Sequence, residues 1–424
     1  MVHGHKSSSW RGAAVVAVLA IGLTGLGTGS AEAAGPQPLH HIGWDGEVPL
    51  IGTPYVGSEL WMGAPGAFAR CDRTEDAPDG YVMEWLSNGT PLPAERQQDS
   101  LKVLPEDRGN RLSFNVYPTS PEKDGCPKTP EDESQGIQLH SVETSPISAS
   151  NRAMGWTGRG NFELLGRTDD GELVLYPRTY PFRKNGWCFE GNCPSFEPSS
   201  WDEPRVVGTG WYVFNIVFSP GDFDGDGNND ILARDSVGHL YLYPGDGDGG
   251  WLERSVVGTG WNIFDSILGP GDFDGDGIND VLARDRLGNL HLYPGNGEGG
   301  WLAPAQVGSG WQIFDKVVAP GDIDGDGGVD IYGRDRGGYL HEYPTDGQGN
   351  WKQPSVWGPG WAVMSEISGA GSYEHNLDVA VNGGHPQPGN NVIAINQDGD
   401  LLKYGGRFGT QQIGNGWDIF SSLI

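Results

Sequence analysis

The ten residues Gly221-Asp222-Phe223-Asp224-Gly225-Asp226-Gly227-Asn228-Asn229-Asp230 crowd four carboxylates into one short loop. The pattern returns as GDFDGDGIND from Gly271 to Asp280 and as GDIDGDGGVD from Gly321 to Asp330, at intervals of 50 residues. Counted from the first aspartate, carboxylates fall at loop positions 1, 3, 5 and 9, with a glycine at position 6. Carboxylates this close repel one another strongly unless a cation sits among them. Alternate side chains turned onto one hard cation, with a glycine allowing the sharp bend, is the chemistry of a calcium loop. The candidate ligands are Asp222, Asp224, Asp226, Asn228 and Asp230; Asp272, Asp274, Asp276, Ile278 and Asp280; and Asp322, Asp324, Asp326, Gly328 and Asp330. Position 7, whatever its side chain, would offer a backbone carbonyl. An Asp/Gly-rich hairpin turn explains any single copy; three copies with every aspartate kept favour calcium, at three sites. The position-12 glutamate of a stronger site is absent, Arg234, Arg284 and Arg334 following four residues after the last aspartate, so the expected affinity is roughly micromolar to millimolar.

The elements that must hold these loops repeat with them. Each full copy reads as Gly-x-Gly-Trp entering a strand (Trp261-Asn262-Ile263-Phe264), the acidic loop, and a buried strand (Asp280 to Arg284). A turn at Gly288, an alternating strand ending in Tyr293-Pro294, an Asp/Asn/Gly loop, Trp301 and an outer strand complete the unit. A period near 50 with short strands and Gly-rich turns predicts a β-propeller, one blade per repeat. The tyrosine closing the third strand occurs at Tyr176, Tyr243, Tyr293, Tyr343 and Tyr404, and the Gly-x-Gly-Trp entry at Trp211, Trp261, Trp311, Trp361 and Trp417. The last Gly-x-Gly-Trp entry follows the last blade, whereas the first blade lacks one of its own. Five blades closed by a C-terminal strand account for both, and closure protects the sheet edges. The expected propeller spans 151–424, with blades at about 151–210, 211–260, 261–310, 311–360 and 361–416 and a closing strand at 417–424. In the last blade the loop is shorter and keeps only Asp378; in the first, Thr157 and Arg159 stand where Asp224 and Asp226 do. A guanidinium at Arg159 facing Glu163 would substitute for the ion there; the alternative is a relaxed loop with Arg159 in solvent.

The 424 residues include 70 glycines and 30 prolines and carry a formal net charge of −29. Such acidity argues against nucleic acid, whose phosphates need Lys and Arg. Residues 1–33 read as a secretory signal: a basic start, an apolar run from Ala13 to Leu26 too short to anchor a membrane, and Ala31-Glu32-Ala33 as a cleavage site. The expectation is a secreted, extracellular monomer without membrane insertion. Export makes the four cysteines disulfides. Proximity pairs Cys188 with Cys193 and Cys71 with Cys126, the other two connectivities staying open. After a lead-in at 34–44, residues 45–148 form a first domain, with half-buried strands at Tyr81 to Trp85 and Leu112 to Val116 and a hairpin turn at Ser87-Asn88-Gly89-Thr90. The segment from Gly52 to Leu60, Tyr81-x-x-x-Trp85-Leu86-x-x-Gly89 and Gly109-x-x-Leu112-x-x-x-Val116 resemble immunoglobulin-like repeats of bacterial surface proteins, which implies a β-sandwich.

The DxDGDGxxD loops between short strands resemble the FG-GAP repeats of integrin-type propellers, and that resemblance implies calcium in a loop between two strands of a blade. Gly-Trp-x-x-Phe and the strand ending in Tyr resemble the tachylectin family of five-bladed lectins. The combination is similar to secreted actinobacterial proteins. It implies carbohydrate or another cell-surface ligand as partner, although no sugar-contacting residue carries over by position.

Trp251, Trp301 and Trp351, set among Gly-rich loops, are candidates for stacking on sugar rings, whereas packing between blades is the plainer role of a large aromatic. The Arg-Asp pairs at 234–235, 284–285 and 334–335 read as structural pairs supporting the loop. His239, His291 and His341 read as strand residues without a ligand. No HExxH, G-x-S-x-G elbow or phosphate loop occurs. The expectation is therefore a binding protein and not an enzyme. A protein-interaction or adhesion scaffold is the alternative, and a polysaccharide hydrolase, which needs only two spaced carboxylates, the third reading.

Overall fold

The computed structural model describes residues 47–48, 50–51, 54–62, 71–73, 75, 80–119, 139–141, 143–144, 147, 155–158, 162–178, 201–323, 328–372, 390–405 and 410–424. Among them the regular structure is β-strand joined by short 3-10 turns, with no α-helix. The expected signal and lead-in, Cys126, Cys188, Cys193, Arg159, Asp324, Asp326 and Asp378 lie outside the described residues.

The N-terminal part forms a five-stranded and a three-stranded sheet. Tyr81–Ser87 pairs antiparallel with Leu112–Pro118 along its whole length. The alternation seen in the sequence sends Trp85, Leu112, Phe114 and Val116 into a core with Leu60, Leu101 and Leu139. Trp85 and Phe114 meet edge to face at 5.0 Å, the arrangement aromatic quadrupoles favour. Asn88 and Gly89 both take positive φ, 48° and 75°, which is what a two-residue hairpin turn with the native strand twist requires. Cys71 is buried in this core and disulfide-bonded; its partner lies outside the described residues.

The rest of the described residues form five four-stranded sheets. The second runs antiparallel in chain order through Phe214–Gly221, Asp230–Asp235, Leu240–Tyr243 and Ser255–Gly258. The third (Phe264–Gly271 to Ala305–Gly308) and fourth (Phe314–Gly321 to Ser355–Gly358) repeat it. The fifth comprises Met364–Ser372, Asn390–Asn396, Leu401–Tyr404 and Gln411–Gly414. The first joins Arg205–Gly208, Leu173–Tyr176 and Leu164–Thr168 to the C-terminal strand Phe420–Leu423. Phe420 stands opposite Thr168 and Leu423 opposite Gly166. One sheet thus holds both ends of the repeat region.

Consecutive sheets bury their facing sides against each other. Leu232, Leu240 and Leu242 of the second sheet meet Trp261, Phe264, Ile267, Val281 and Ala283 of the third. Each such side chain contributes about 1.5–3 kcal/mol on leaving water.

One expectation about the strands is corrected. Trp261–Ile263 is a 3-10 turn, and the strand begins at Phe264. Gly260, at φ 77°, turns the chain, and the Trp261 N–H is drawn to the Gly238 carbonyl of the preceding sheet at 3.0 Å. The same turn recurs at Trp211, Trp311, Trp361 and Trp417, each tryptophan N–H reaching a hairpin glycine: Gly171, Gly288, Gly338 and Gly399.

Candidate metal centre

Each acidic loop joins the first strand of its sheet to the second, and the pairing of Gly221 with Asp230 and of Gly271 with Asp280 fixes its ends. The structure brings together the carboxylates of positions 1, 3 and 5: ligand oxygens of Asp222, Asp224 and Asp226 lie within 4.8 Å of one another, as do those of Asp272, Asp274 and Asp276. The loop backbone shapes this cluster. Asp222 accepts the N–H groups of Gly225 (2.7 Å) and Gly227 (3.0 Å), which folds positions 4 and 6 over position 1. Gly225 and Gly227 reach this geometry at φ 84° and 92°, a region open to glycine. Asp226 accepts the Asn228 N–H, and Asp276 the Ile278 N–H, both at 2.8 Å, so position 7 sits against the cluster.

Position 9 binds the backbone more extensively. Asp230 is fully buried; its Oδ2 accepts the N–H of Phe223 (2.8 Å) and Asp224 (3.2 Å), and its Oδ1 that of Gly245 (2.9 Å). Asp280 makes the same bonds to Phe273, Asp274 and Gly295. This carboxylate braces the loop to the turn after the third strand, holding the other three in place. Asp330 is equally buried and accepts the N–H of Ile323 (2.7 Å) and Thr345 (3.1 Å). With Asp324 and Asp326 outside the described residues, Asp322, Gly328 and Asp330 are the candidate ligands of the third loop that the structure describes.

Burial pushes Asp222 and Asp272 up to about 6, against the pull of the glycine N–H bonds, with Asp226 and Asp224, or Asp276 and Asp274, adding repulsion. Asp280 is pushed to about 8 by burial, and Asp230 well above the carboxylate range. Protein atoms alone therefore leave these anions poorly compensated. Three converging hard oxygens in a half-buried loop fit a divalent cation of the calcium type.

In the first sheet Glu163 does the work of position 9. Buried at 2% exposure, it accepts the N–H of Trp156 (2.7 Å) and Thr157 (2.9 Å) through one oxygen and the Thr157 hydroxyl (2.7 Å) through the other. Glu163 stands six residues after Thr157, as Asp230 stands six after Asp224, so the correspondence of the two loops in sequence has a counterpart in space.

The loops are also tied to one another, through residues not anticipated from the sequence. Asn279 donates its side-chain N–H to the Asp222 carbonyl (2.8 Å), and Asn229 to that of Gly155 (2.7 Å), linking position 8 of one sheet to position 1 of the sheet before. Gly299 and Gly349 of the following sheets donate to the Phe223 and Phe273 carbonyls.

Trp251, Trp301 and Trp351 are wedged at the seams. Each indole N–H donates to a backbone carbonyl of the preceding sheet, Val207 (3.0 Å), Val257 (2.8 Å) and Val307 (2.7 Å). Their rings pack on Trp211, Trp261 and Trp311 at 6.1, 5.3 and 5.3 Å. Trp201 is a fourth member: it donates to the Ile413 carbonyl (3.0 Å) and makes the same isolated bridge as the other three.

The Arg-Asp pairs are not pairs. Arg234 reaches the next sheet, donating to the carbonyls of Trp261 (2.8 Å) and Phe264 (2.6 Å) and to Asn215. Arg284 and Arg334 repeat the clamp. Asp235, Asp285 and Asp335 instead cap their own hairpin turns and bind His239 (3.0 Å), His291 (3.3 Å) and His341 (2.9 Å).

Residues 222–283 and 272–333 match the FG-GAP-like repeat family, a match that covers less than half of the chain. No curated protein matches it. Among solved structures, the chain is similar to the BP39L lectin from Burkholderia pseudomallei, at 15% identity over 72% of this chain and 79% of that one, TM-score 0.35. It is also similar to an Agrocybe aegerita lectin described as recognising non-reducing terminal N-acetylglucosamine (13% identity, 76% and 92%, TM-score 0.30). A third is the Dos1 propeller (11% identity, 72% and 82%, TM-score 0.27). The chain is all-β, with several four-stranded sheets and FG-GAP-like repeats that resemble propeller blades.

Proposed function

We propose that this chain is a secreted, calcium-stabilised five-bladed propeller, preceded by an immunoglobulin-like sandwich, that binds a repetitive cell-surface ligand without catalysing a reaction. The observation that carries the metal part is the convergence of Asp222, Asp224 and Asp226, repeated at Asp272, Asp274 and Asp276, in loops matching the FG-GAP-like family. Position 9 serves as brace, and a third site at Asp322 to Asp330 follows from the repeat. When bound, the ion supplies positive charge that lets three crowded carboxylates stay ionised. The disulfides, Cys71–Cys126 and Cys188–Cys193 by proximity, belong to the same reading of an exported protein.

The binding part rests on repetition. Val213, Ile263, Ile313, Val363 and Ile419 occupy the same place in successive 3-10 turns, and each is half or more exposed. A surface offered several times over suits a polymer, on which weak sites gain avidity. Carbohydrate is the first class to test. A protein partner is favoured by those same apolar residues and by the engagement of Trp251, Trp301 and Trp351 within the seams.

A ligand bound only by the folded state adds ~2.7 kcal/mol at a hundredfold excess over its dissociation constant. Chelation is therefore expected to lower the melting temperature, and Asp276→Ala to reproduce part of the loss; an identical melting curve in EDTA overturns the metal reading. Binding to arrays of polysaccharides, peptidoglycan and chitin, read beside pull-down with surface proteins, separates the two ligand classes.

A further inference from the structure

The N-terminal sandwich touches the rest of the protein at the metal loops. A methyl built on Gly57, in the turn after Pro54, would lie 2.9 Å from the Gly227 carbonyl oxygen, and one built on Gly227 would lie 3.7 Å from Val56 Cγ1. On the next loop, a methyl on Gly277 would meet Arg108 Cγ at 3.3 Å and Cδ at 3.5 Å. The Arg108 guanidinium lies over Gly297, whose added methyl would be 3.5 Å from one terminal nitrogen and 3.6 Å from the other. Gly227 and Gly277 are the same residue of the two loops, the position-6 glycines whose N–H groups bind Asp222 (3.0 Å) and Asp272 (2.8 Å). The backbone that wraps the cation site is therefore also the surface on which the sandwich rests.

Both touching segments are anchored in the sandwich. Gly57 donates to the Val103 carbonyl (2.9 Å) and Gly109 to that of Ile147 (2.8 Å), while Val56 is buried with the sandwich core. They present a shaped surface that needs a shaped counterpart. Without a cation, each loop carries three mutually repelling carboxylates held by backbone N–H groups and, in the first of them, by the Asn228 side-chain N–H on Asp226 (3.1 Å). From this we infer that the metal loops are the docking platform of the N-terminal sandwich, so that cation binding and domain docking are coupled. The inference rests on the metal reading above. It makes the loops a switch between a docked and a released sandwich, and it requires reciprocity: whatever weakens docking weakens cation binding by the same factor.

The test is hydrogen–deuterium exchange of the full chain with calcium and with EDTA, followed by calcium titration of the parent and of Arg108→Ala. Calcium is expected to protect residues 222–230 and 272–280, and also the amides around Gly57 and Gly109, far away in sequence. In Arg108→Ala the loops keep their calcium-dependent protection, the amides around Gly57 and Gly109 lose theirs, and calcium affinity falls roughly fivefold or more. The sign discriminates, because removing a positive charge beside a cation site without any docking effect would raise affinity. Protection confined to the loops, or an affinity in Arg108→Ala equal to or above the parent's, overturns the coupling and leaves the metal reading standing. No calcium-dependent protection anywhere, with no binding in the titration, overturns both.

Discussion

Asp280 shows why the metal loops carry a stability cost when no cation is bound. Its carboxyl, ordinarily near 3.8, is pushed to about 8 by burial, and Asp222 and Asp272 to about 6. A carboxyl whose folded value is raised holds its proton more tightly when folded, so its stability contribution is full below about pH 4 and is lost as pH rises through 6 to 8. The metal-free chain is therefore expected to melt lower at pH 8 than at pH 5, whereas calcium, binding the ionised form, gains affinity over the same range. Scanning calorimetry at both values in EDTA and in calcium checks this, and a metal-free melting point that climbs with pH refutes it. The sequence showed which carboxylates are crowded, since positions 1, 3 and 5 are local. It did not show that Asp230 braces the backbone, because its third partner, Gly245, lies beyond the second and third strands.

At the scale of elements, the seams between sheets are fastened by tryptophans and arginines. Trp301 bonds the Val257 carbonyl at 2.8 Å and packs on Trp261 and Phe223, at 5.3 and 4.7 Å. Trp301→Phe keeps most of the ring but drops the bond, an expected loss of about 0.5–1.5 kcal/mol. Trp301→Ala leaves a cavity as well and should cost about 3–5 kcal/mol. Denaturant titration measures both. A Phe variant as stable as the parent but unable to bind a polysaccharide would make Trp301 a stacking platform instead of a fastener. The 50-residue period made the strands of each repeat legible, since alternation and glycine turns are local signals. The seams were not. Arg234 and Asp235 are neighbours in sequence, which suggested a pair, yet successive residues of a strand point to opposite faces. Arg234 accordingly serves the next sheet and Asp235 its own turn. Trp201 escaped notice because it stands 50 residues before Trp251 in a segment with no intact acidic loop or Gly-x-Gly-Trp entry to mark the repeat.

For the whole molecule, the decisive element is the last strand. Phe420–Leu423 completes the first sheet, and the Ile424 N–H donates to the Leu165 carbonyl at 2.8 Å. Gly166 has no side chain because the Phe420 ring lies where one would go. Trp417 packs between Tyr176 (4.4 Å) and Trp201 (5.8 Å), joining the fifth sheet's side of the seam to the first. Trp417, Phe420, Leu423 and Ile424 are all buried. At about 1.5–3 kcal/mol for each, their removal forfeits roughly 6–12 kcal/mol, comparable to the ~5–15 kcal/mol that holds a whole domain folded. It also bares the edge of Leu164–Thr168, a template for pairing with another chain. Deleting residues 417–424 is therefore expected to abolish the cooperative melting transition and to drive self-association, even with calcium saturating. Placing the same residues ahead of Gly155 in a circular permutant, with the strand free to take its old position, should restore both folding and solubility. Light scattering and calorimetry on the two variants decide the matter. A deletion variant that melts like the parent would mean that the first sheet stands without its fourth strand.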